Sequence, residues 1–287
     1  MSTLLKIEFN VPETEADAAG VFIAARAPHG WEETPRGDQR HFTLYLEDHP
    51  LGMEMVREFE ARFPAGEVAH SEQESENWAM AWKDFFIPVN CGETFTIVPP
   101  WLQDQCADGH TCITIEPKMA FGTGHHPTTS LCLQVIADLM KKGRIKAGGA
   151  FLDLGTGSGI LAIGLCKLGL TGLAVDIDPQ AVVCARENVA ANGVADAVTL
   201  TVGTVDSLDE SVQFDTVVAN ILSGPLIEIA HLLAPRVREG GNLILSGILA
   251  DRQADAVAGA YVRQGLDEPE RRIDGEWAAL IWENVGA

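Results

Sequence analysis

Near the N-terminus Leu5, Ile7 and Phe9 alternate with Lys6 and Glu8, the period-two pattern of a half-buried strand. From Thr14 to Arg26 the period changes. Ala18, Val21, Phe22 and Ala25 form an apolar stripe at i, i+3, i+4 and i+7, which predicts a helix. A polar loop with Gly and Pro runs from Pro28 to Gly37. Phe42, Leu44 and Leu46 then alternate as a second strand, and Met53, Val56, Phe59 and Phe63 give a second helix one apolar face. Strand-helix-strand-helix over residues 1–65 predicts a small α+β sandwich of the ferredoxin-like kind.

Residues 66–77 are polar and acidic and read as a linker, the start of a linker region over 66–100. Inside it, Trp78 and Trp82 stand four apart in an aromatic-rich helical turn, where packing on each other is the simplest use for them. Phe95 to Val98 and Ile113 to Ile115 are strand-like. Over 101–287 short apolar runs alternate with helical patterns. Phe151 to Leu154, Leu173 to Val175, Phe214 to Ala219, Asn242 to Leu245 and Ala278 to Trp282 read as strands. Helical stretches follow His126 to about Met140, Ile160 to Leu165, Leu222 to Leu233 and Asp251 to Gln264. That alternation predicts a doubly wound, Rossmann-like α/β domain beside the smaller one.

Composition narrows the class. At 287 residues the chain has room for one large domain and a small one, and its interspersed charges suit a soluble globular protein of the cytoplasm. No apolar run reaches the ~20 residues of a membrane span, and no signal-like apolar segment follows Met1. The six cysteines show no C-x-x-C pair; Cys166 and Cys184 fall in helical patterns and read as reduced, buried thiols. A net charge of −21 argues against a nucleic-acid substrate and fits a basic partner or a cationic cofactor. In residues 1–65 the acids outnumber six basic residues about two to one, which suits a module that recognises a basic protein as well as it suits a plain solvated surface.

The chemistry concentrates in three stretches. In the first, D-L-G-T-G-S-G at 153–159, the strand passes into a turn and a helix start. Its glycines allow close backbone approach to a ligand. The spacing is neither the dinucleotide G-x-G-x-x-G nor a phosphate-binding loop, and no Lys or Arg lies between Phe151 and Cys166, so a polyphosphate is not indicated. Asp176 ends the next strand, 17 residues after Gly159, where doubly wound folds place a carboxylate on ribose hydroxyls. A dehydrogenase or an ordinary strand-turn-helix is the competing reading. The second stretch, 117–130, has two glycines and then Pro127, Thr128, Thr129 and Ser130 at a helix start, which suits a carboxylate. His125 and His126 are adjacent and lack further ligands at metal spacing, as does the Cys106, His110, Cys112 group; a structural or gating role suits the histidine pair better. In the third, Asn220 closes a buried strand at the crevice end of the sheet, either as a functional amide or as a cap for the helix beyond. Asp206 follows the third strand and reads as an adenine contact or a solvated turn acid.

D-L-G-T-G-S-G followed by V-D-I-D-P at 175–179 resembles the class I methyltransferases that bind S-adenosylmethionine. E-N-W-A-M-A-W at 76–82, M-A-F-G-T-G-H-H-P-T-T at 119–129 and A-N-I-L-S-G-P-L at 219–226 extend the likeness over nearly the whole chain. Together they resemble the bacterial PrmA family, methyltransferases of ribosomal large-subunit protein eleven. His125 departs from the family, which usually has Thr there. The resemblance implies a class I domain ending in an antiparallel hairpin, a substrate-recognition domain at 1–65, and S-adenosyl-L-methionine as cofactor. It places cofactor contacts on Thr129, Asp153, Gly155, Gly157, Asp176, Ile177 and Asn220, with Asn220 also catalytic and no metal. The implied reaction is N-methylation of lysine or N-terminal amines of that basic ribosomal protein, by a monomer that needs neither membrane nor nucleic acid. A lysine methyltransferase of another protein, or a small-amine methyltransferase, would use the same catalytic domain.

Overall fold

The computed structural model describes residues 3–24, 26, 31–46, 49–74, 87–116 and 126–286. The motif at 76–82 with Trp78 and Trp82, and residues 119–125 with His125, lie outside them. The chain divides into two compact units, Met1–Phe86 and Ile87–Ala287.

In the first unit, β1 (Thr3–Pro12), α1 (Ala16–Ala24), β2 (Glu32–Arg36), β3 (Gln39–Leu46), α2 (His49–Arg62) and β4 (Glu67–Glu74) build one antiparallel sheet of order β2-β3-β1-β4. This β-α-β-β-α-β succession is that of a ferredoxin-like layer. Leu5, Ile7, Phe9 and Val11 point from one face of β1 into a core closed by Phe22, Ile23, Phe59 and Phe63 of the helical layer. Phe9 stacks on Phe59 with ring centroids 4.0 Å apart.

Two expectations change here. Residues 32–36, expected within a polar loop, are the edge strand β2, and all five are exposed. Residues 67–74, expected to link the domains, are the opposite edge strand β4, registered on β1 from Thr3↔Glu74 to Asn10↔Glu67. Edge strands hold their place by backbone pairing on one side, so neither needed the apolar alternation that marks β1. The region 66–100 is therefore not a linker throughout: 67–74 complete the first sheet, and the second unit starts at Ile87.

The second unit opens with a three-stranded sheet of β5 (Val89–Cys91), β6 (Phe95–Val98) and β7 (Thr111–Thr114). Helix α3 (Pro127–Lys141) leads to β8 (Ala150–Leu154), α4 (Ile160–Lys167), β9 (Thr171–Asp176), α5 (Pro179–Ala191), β10 (Val198–Val202) and β11 (Phe214–Asn220). Two short helices, α6 (Ser223–Glu228) and α7 (Ala230–Leu233), replace the single helix expected over 222–233. Then come β12 (Val237–Leu249), α8 (Ala254–Val262), β13 (Glu270–Asp274) and β14 (Trp277–Trp282). The seven-stranded sheet has the order β10-β9-β8-β11-β12-β14-β13, parallel up to β12, with the β13–β14 hairpin antiparallel.

Both sheet faces are covered, which explains the near-continuous apolar runs of β8 and β11. Phe151, Val218 and Ile244 face a core shared with α3 and α4, while Leu152, Val217 and Leu245 face one shared with α6, α7 and α8. Cys91, Cys132, Cys166 and Cys184 are buried thiols outside any disulfide, and burial pushes Cys132 and Cys166 up to about 12. Cys106 and Cys112, by contrast, pair as a disulfide bridging the β6–β7 connection.

Candidate active site

Strand order reverses between β8 and β11, and there the strand ends open into a cleft of about 700 Å³. The sheet divides its lining. After β8, β9 and β10 come Gly155 and Gly157, Asp176 and Ile177, and Gly203 to Val205. The other half is formed by Asn220 and Leu222 after β11, Gly247 of β12, Trp277 of β14, and His126 and Thr128 at the start of α3.

On the first side, Gly155, Gly157 and Gly159 have φ of 74°, 54° and 83°, a region L side chains rarely enter. A Cβ on Gly155 would lie 2.2 Å from Ile221 Cγ2. The turn is tied to β9, because the Gly155 and Thr156 N–H groups both donate to Val175 O, at 2.8 and 3.0 Å. Asp176 Oδ2 accepts the Gly157 N–H at 2.8 Å and its Oδ1 accepts the Asp178 N–H at 3.0 Å. Ile177 is 72% exposed beside it, a bare apolar surface at the cleft.

Asp153 does not line the cleft; it lies beneath the turn, fully buried. Its Oδ2 accepts the Thr156 hydroxyl at 2.7 Å and the Ala162 N–H at 3.1 Å, so one carboxylate oxygen joins the turn to the helix after it. Burial pushes its carboxyl up to about 6, against these two hydrogen bonds and with help from the charge of Asp176.

On the other side, Asn220 Nδ2 donates to Thr129 Oγ1 at 3.5 Å, while Asn220 Oδ1 is buried with no partner among the described residues. Thr129 is fully buried behind this amide, and Thr128, not Thr129, lines the cleft. His126 caps α3: its Nδ1 accepts the Thr128 N–H at 3.4 Å and lies 2.8 Å from Thr128 Oγ1, and its carbonyl accepts the Thr129 and Ser130 N–H groups. The amides expected to meet a carboxylate thus already donate to His126. The His126 ring meets Trp277 edge-on, centroids 4.7 Å apart.

Asp206 is exposed outside the cleft, and Thr204 and Val205 line it instead. Leu222 lies inside the 219–226 string, whereas Gly203, Ile229, Gly247 and Trp277 carried no motif of their own; a glycine closing an apolar strand, as in Ser246-Gly247, was the one signal available for those four. No group of three or more His, Cys, Asp or Glu among the described residues could hold a metal, and no described helix is long and apolar enough to cross a membrane.

Gly155 and Gly157 on one wall, with a strand-end carboxylate and a flanking apolar surface, fit a nucleoside linked to an amino acid and not a polyphosphate, while the orphaned amide oxygen of Asn220 stands on the opposite wall. With this strand order they define a class I S-adenosylmethionine-dependent methyltransferase. The chain matches the family described as "Ribosomal protein L11 methyltransferase (PrmA)" over residues 19–284. A relative of that name from Pelobacter propionicus is 42% identical over 216 residues, 75% of this chain and 69% of its own length. One from Chloroflexus aurantiacus is 39% identical over 242 residues, covering 76% and 72%. The crystal structure of a ribosomal protein L11 methylase from Lactobacillus delbrueckii subsp. bulgaricus aligns with a TM-score of 0.60 and 31% identity, over 69% of this chain and all of that one. The chain belongs to the ribosomal protein L11 methyltransferase family, enzymes that methylate protein with S-adenosylmethionine.

Proposed function

We propose that this enzyme methylates lysine side-chain or N-terminal amines of ribosomal protein L11, with Asn220 aiming the accepting nitrogen. The observation that carries the reading is Asn220 Oδ1, a buried acceptor with no partner among the described residues, on a side chain that lines the cleft. An amine N–H donated to that oxygen would satisfy it and turn the nitrogen lone pair toward the cofactor half. When bound, S-adenosylmethionine supplies a methyl group already activated on a sulfonium. Gly155 and Gly157 leave room for its methionine part, Asp176 would hold the ribose, and Ile177 would cover the adenine.

The amine attacks only when neutral, and a free lysine starts near pKa ~10.4. Leu222, Ile229 and Trp277 wall the accepting half with apolar surface, and the cleft's carboxylate, Asp176, stands on the other side. Desolvation there disfavours the ammonium form, so the proton leaves to water before transfer. Holding the two reactants aligned and dry can supply roughly 7–11 kcal/mol of the barrier. In this reading the enzyme acts as a monomer in the cytoplasm, and the acidic first unit recognises the basic substrate.

The test is mass spectrometry of purified L11 after incubation with the enzyme and S-adenosylmethionine. Steps of one methyl, mapped to lysines or the N-terminal amine, are expected. An unmodified L11, with cofactor binding intact by calorimetry, would move the substrate to another protein or a small amine.

A further inference from the structure

Asn188 on α5 joins two segments far apart in the chain without lining the cleft itself. It is 2% exposed. Its Nδ2 donates to Ser158 O at 2.8 Å, inside the glycine turn, and its Oδ1 accepts the Glu116 N–H at 3.0 Å, just beyond β7. One helical turn on, Asn192 pairs with Thr114 of β7: its Oδ1 accepts the Thr114 N–H at 2.9 Å and its Nδ2 donates to Thr114 O at 2.6 Å. Residues four apart share a helix face, so one amide reaches the end of β7 and the other the residues just after it.

We infer that Asn188 is a positioning residue for cofactor binding, holding the Ser158–Gly159 peptide of the glycine turn in place. That peptide unit is fixed at both ends: Asn188 binds its carbonyl, and its Gly159 N–H donates to Thr156 O at 2.9 Å. Three glycines in five residues, all in the left-handed region, leave this segment without the restraint that Cβ atoms would impose on its backbone. A buried hydrogen bond that removes the freedom beforehand raises affinity by cutting the ordering cost of binding. The residue type follows from the partners. A carbonyl and an N–H must be met from one short side chain, and an amide offers a donor and an acceptor where a carboxylate offers acceptors only.

The inference rests on the cofactor part of the proposed function alone. Its test is calorimetric titration of the full chain with S-adenosylmethionine, with thermal melts alongside, for Asn188→Ala, Asn188→Asp and Asn192→Ala. Loss of the Ser158 bond is expected to weaken binding about tenfold in Asn188→Ala. Asn188→Asp sets a carboxylate against the Ser158 carbonyl and should bind as weakly at neutral pH. Relative to wild type at the same pH, it should recover as acidification restores a donor, which a purely structural role does not predict. Asn192→Ala, which leaves the Ser158 bond intact, should lower the melting temperature and keep wild-type affinity. Wild-type affinity in a folded Asn188→Ala or Asn188→Asp overturns the inference, and so does equal weakening by Asn192→Ala. If Asn188→Ala does not fold, Asn188→Asp decides. A wild-type chain that bound no cofactor would instead end the cofactor reading itself.

Discussion

Asn220 ends β11 with an amide whose nitrogen is anchored on Thr129 and whose buried oxygen is left open. Leaving such an acceptor unmet costs about 1–3 kcal/mol, a cost that a substrate amine can relieve. Asn220→Ala should therefore lower turnover by roughly 10²-fold, the scale seen on removing one positioned polar contact, with cofactor affinity little changed. Full turnover in single-turnover assays would remove the aiming role. Gly155→Ala meets two penalties: φ of 74° and Ile221 Cγ2 at 2.2 Å. It should abolish measurable cofactor binding. Adding Ile221→Ala should restore it only in part, since the strained φ still costs about 1–3 kcal/mol. Asp153 bears on pH. Its carboxyl rises from 3.8 to about 6 on folding, so between those values the native state holds the proton more tightly than the unfolded chain. Stability from this residue is present at low pH and is lost as pH rises through about 6, on the order of 3 kcal/mol in full. Asp153→Asn keeps a carbonyl for Thr156 and Ala162. Urea titrations from pH 5 to 7 should show the wild type losing stability while this variant does not.

Among the elements, α5 does the most for the site. Asp176 stands just before it, Asp178 caps it by accepting the Gln180 N–H at 2.8 Å, and Asn188 anchors the glycine turn from its far end. Loss of the cap in Asp178→Ala should cost about 1 kcal/mol by urea denaturation, with S-adenosylmethionine affinity falling less than in Asn188→Ala. The edge strands β2 and β4 teach a different lesson. Pro35 sits opposite Arg40 in β2, tolerated because one side of that strand pairs with nothing in the sheet.

At the scale of the whole molecule, each unit closes its own apolar core, one around Phe9 and Phe59 and the other on both faces of β8 and β11. A net charge of −21 favours encounter with a basic protein and is screened by salt. Raising ionic strength from 0.05 to about 0.5 M should therefore raise KM for L11 severalfold while leaving S-adenosylmethionine affinity nearly unchanged, because the Debye length shrinks to a few Å. A KM for L11 independent of salt would separate recognition from the acidic surface.

What can be read along the chain is what local pattern controls. The glycine turn at 155–159, the acid at 176, the amide at 220 and the central strands all announce themselves, because turn geometry and two-sided burial restrict residue choice at each position. The family resemblance was carried by the same short strings. Tertiary structure decided the rest. It made Thr128 the lining residue and Thr129 the support, since a helix start turns successive side chains about 100° apart. It placed Trp277 and Gly247 in the cleft through strand order, which no local pattern encodes. It drew polar residues 32–36 and 67–74 into a sheet by backbone pairing, where side-chain hydrophobicity is not the driving term. And it brought Ser158, Asn188 and Glu116 together across the fold, a contact whose energy exists only once the helix, the turn and the strand are all in place.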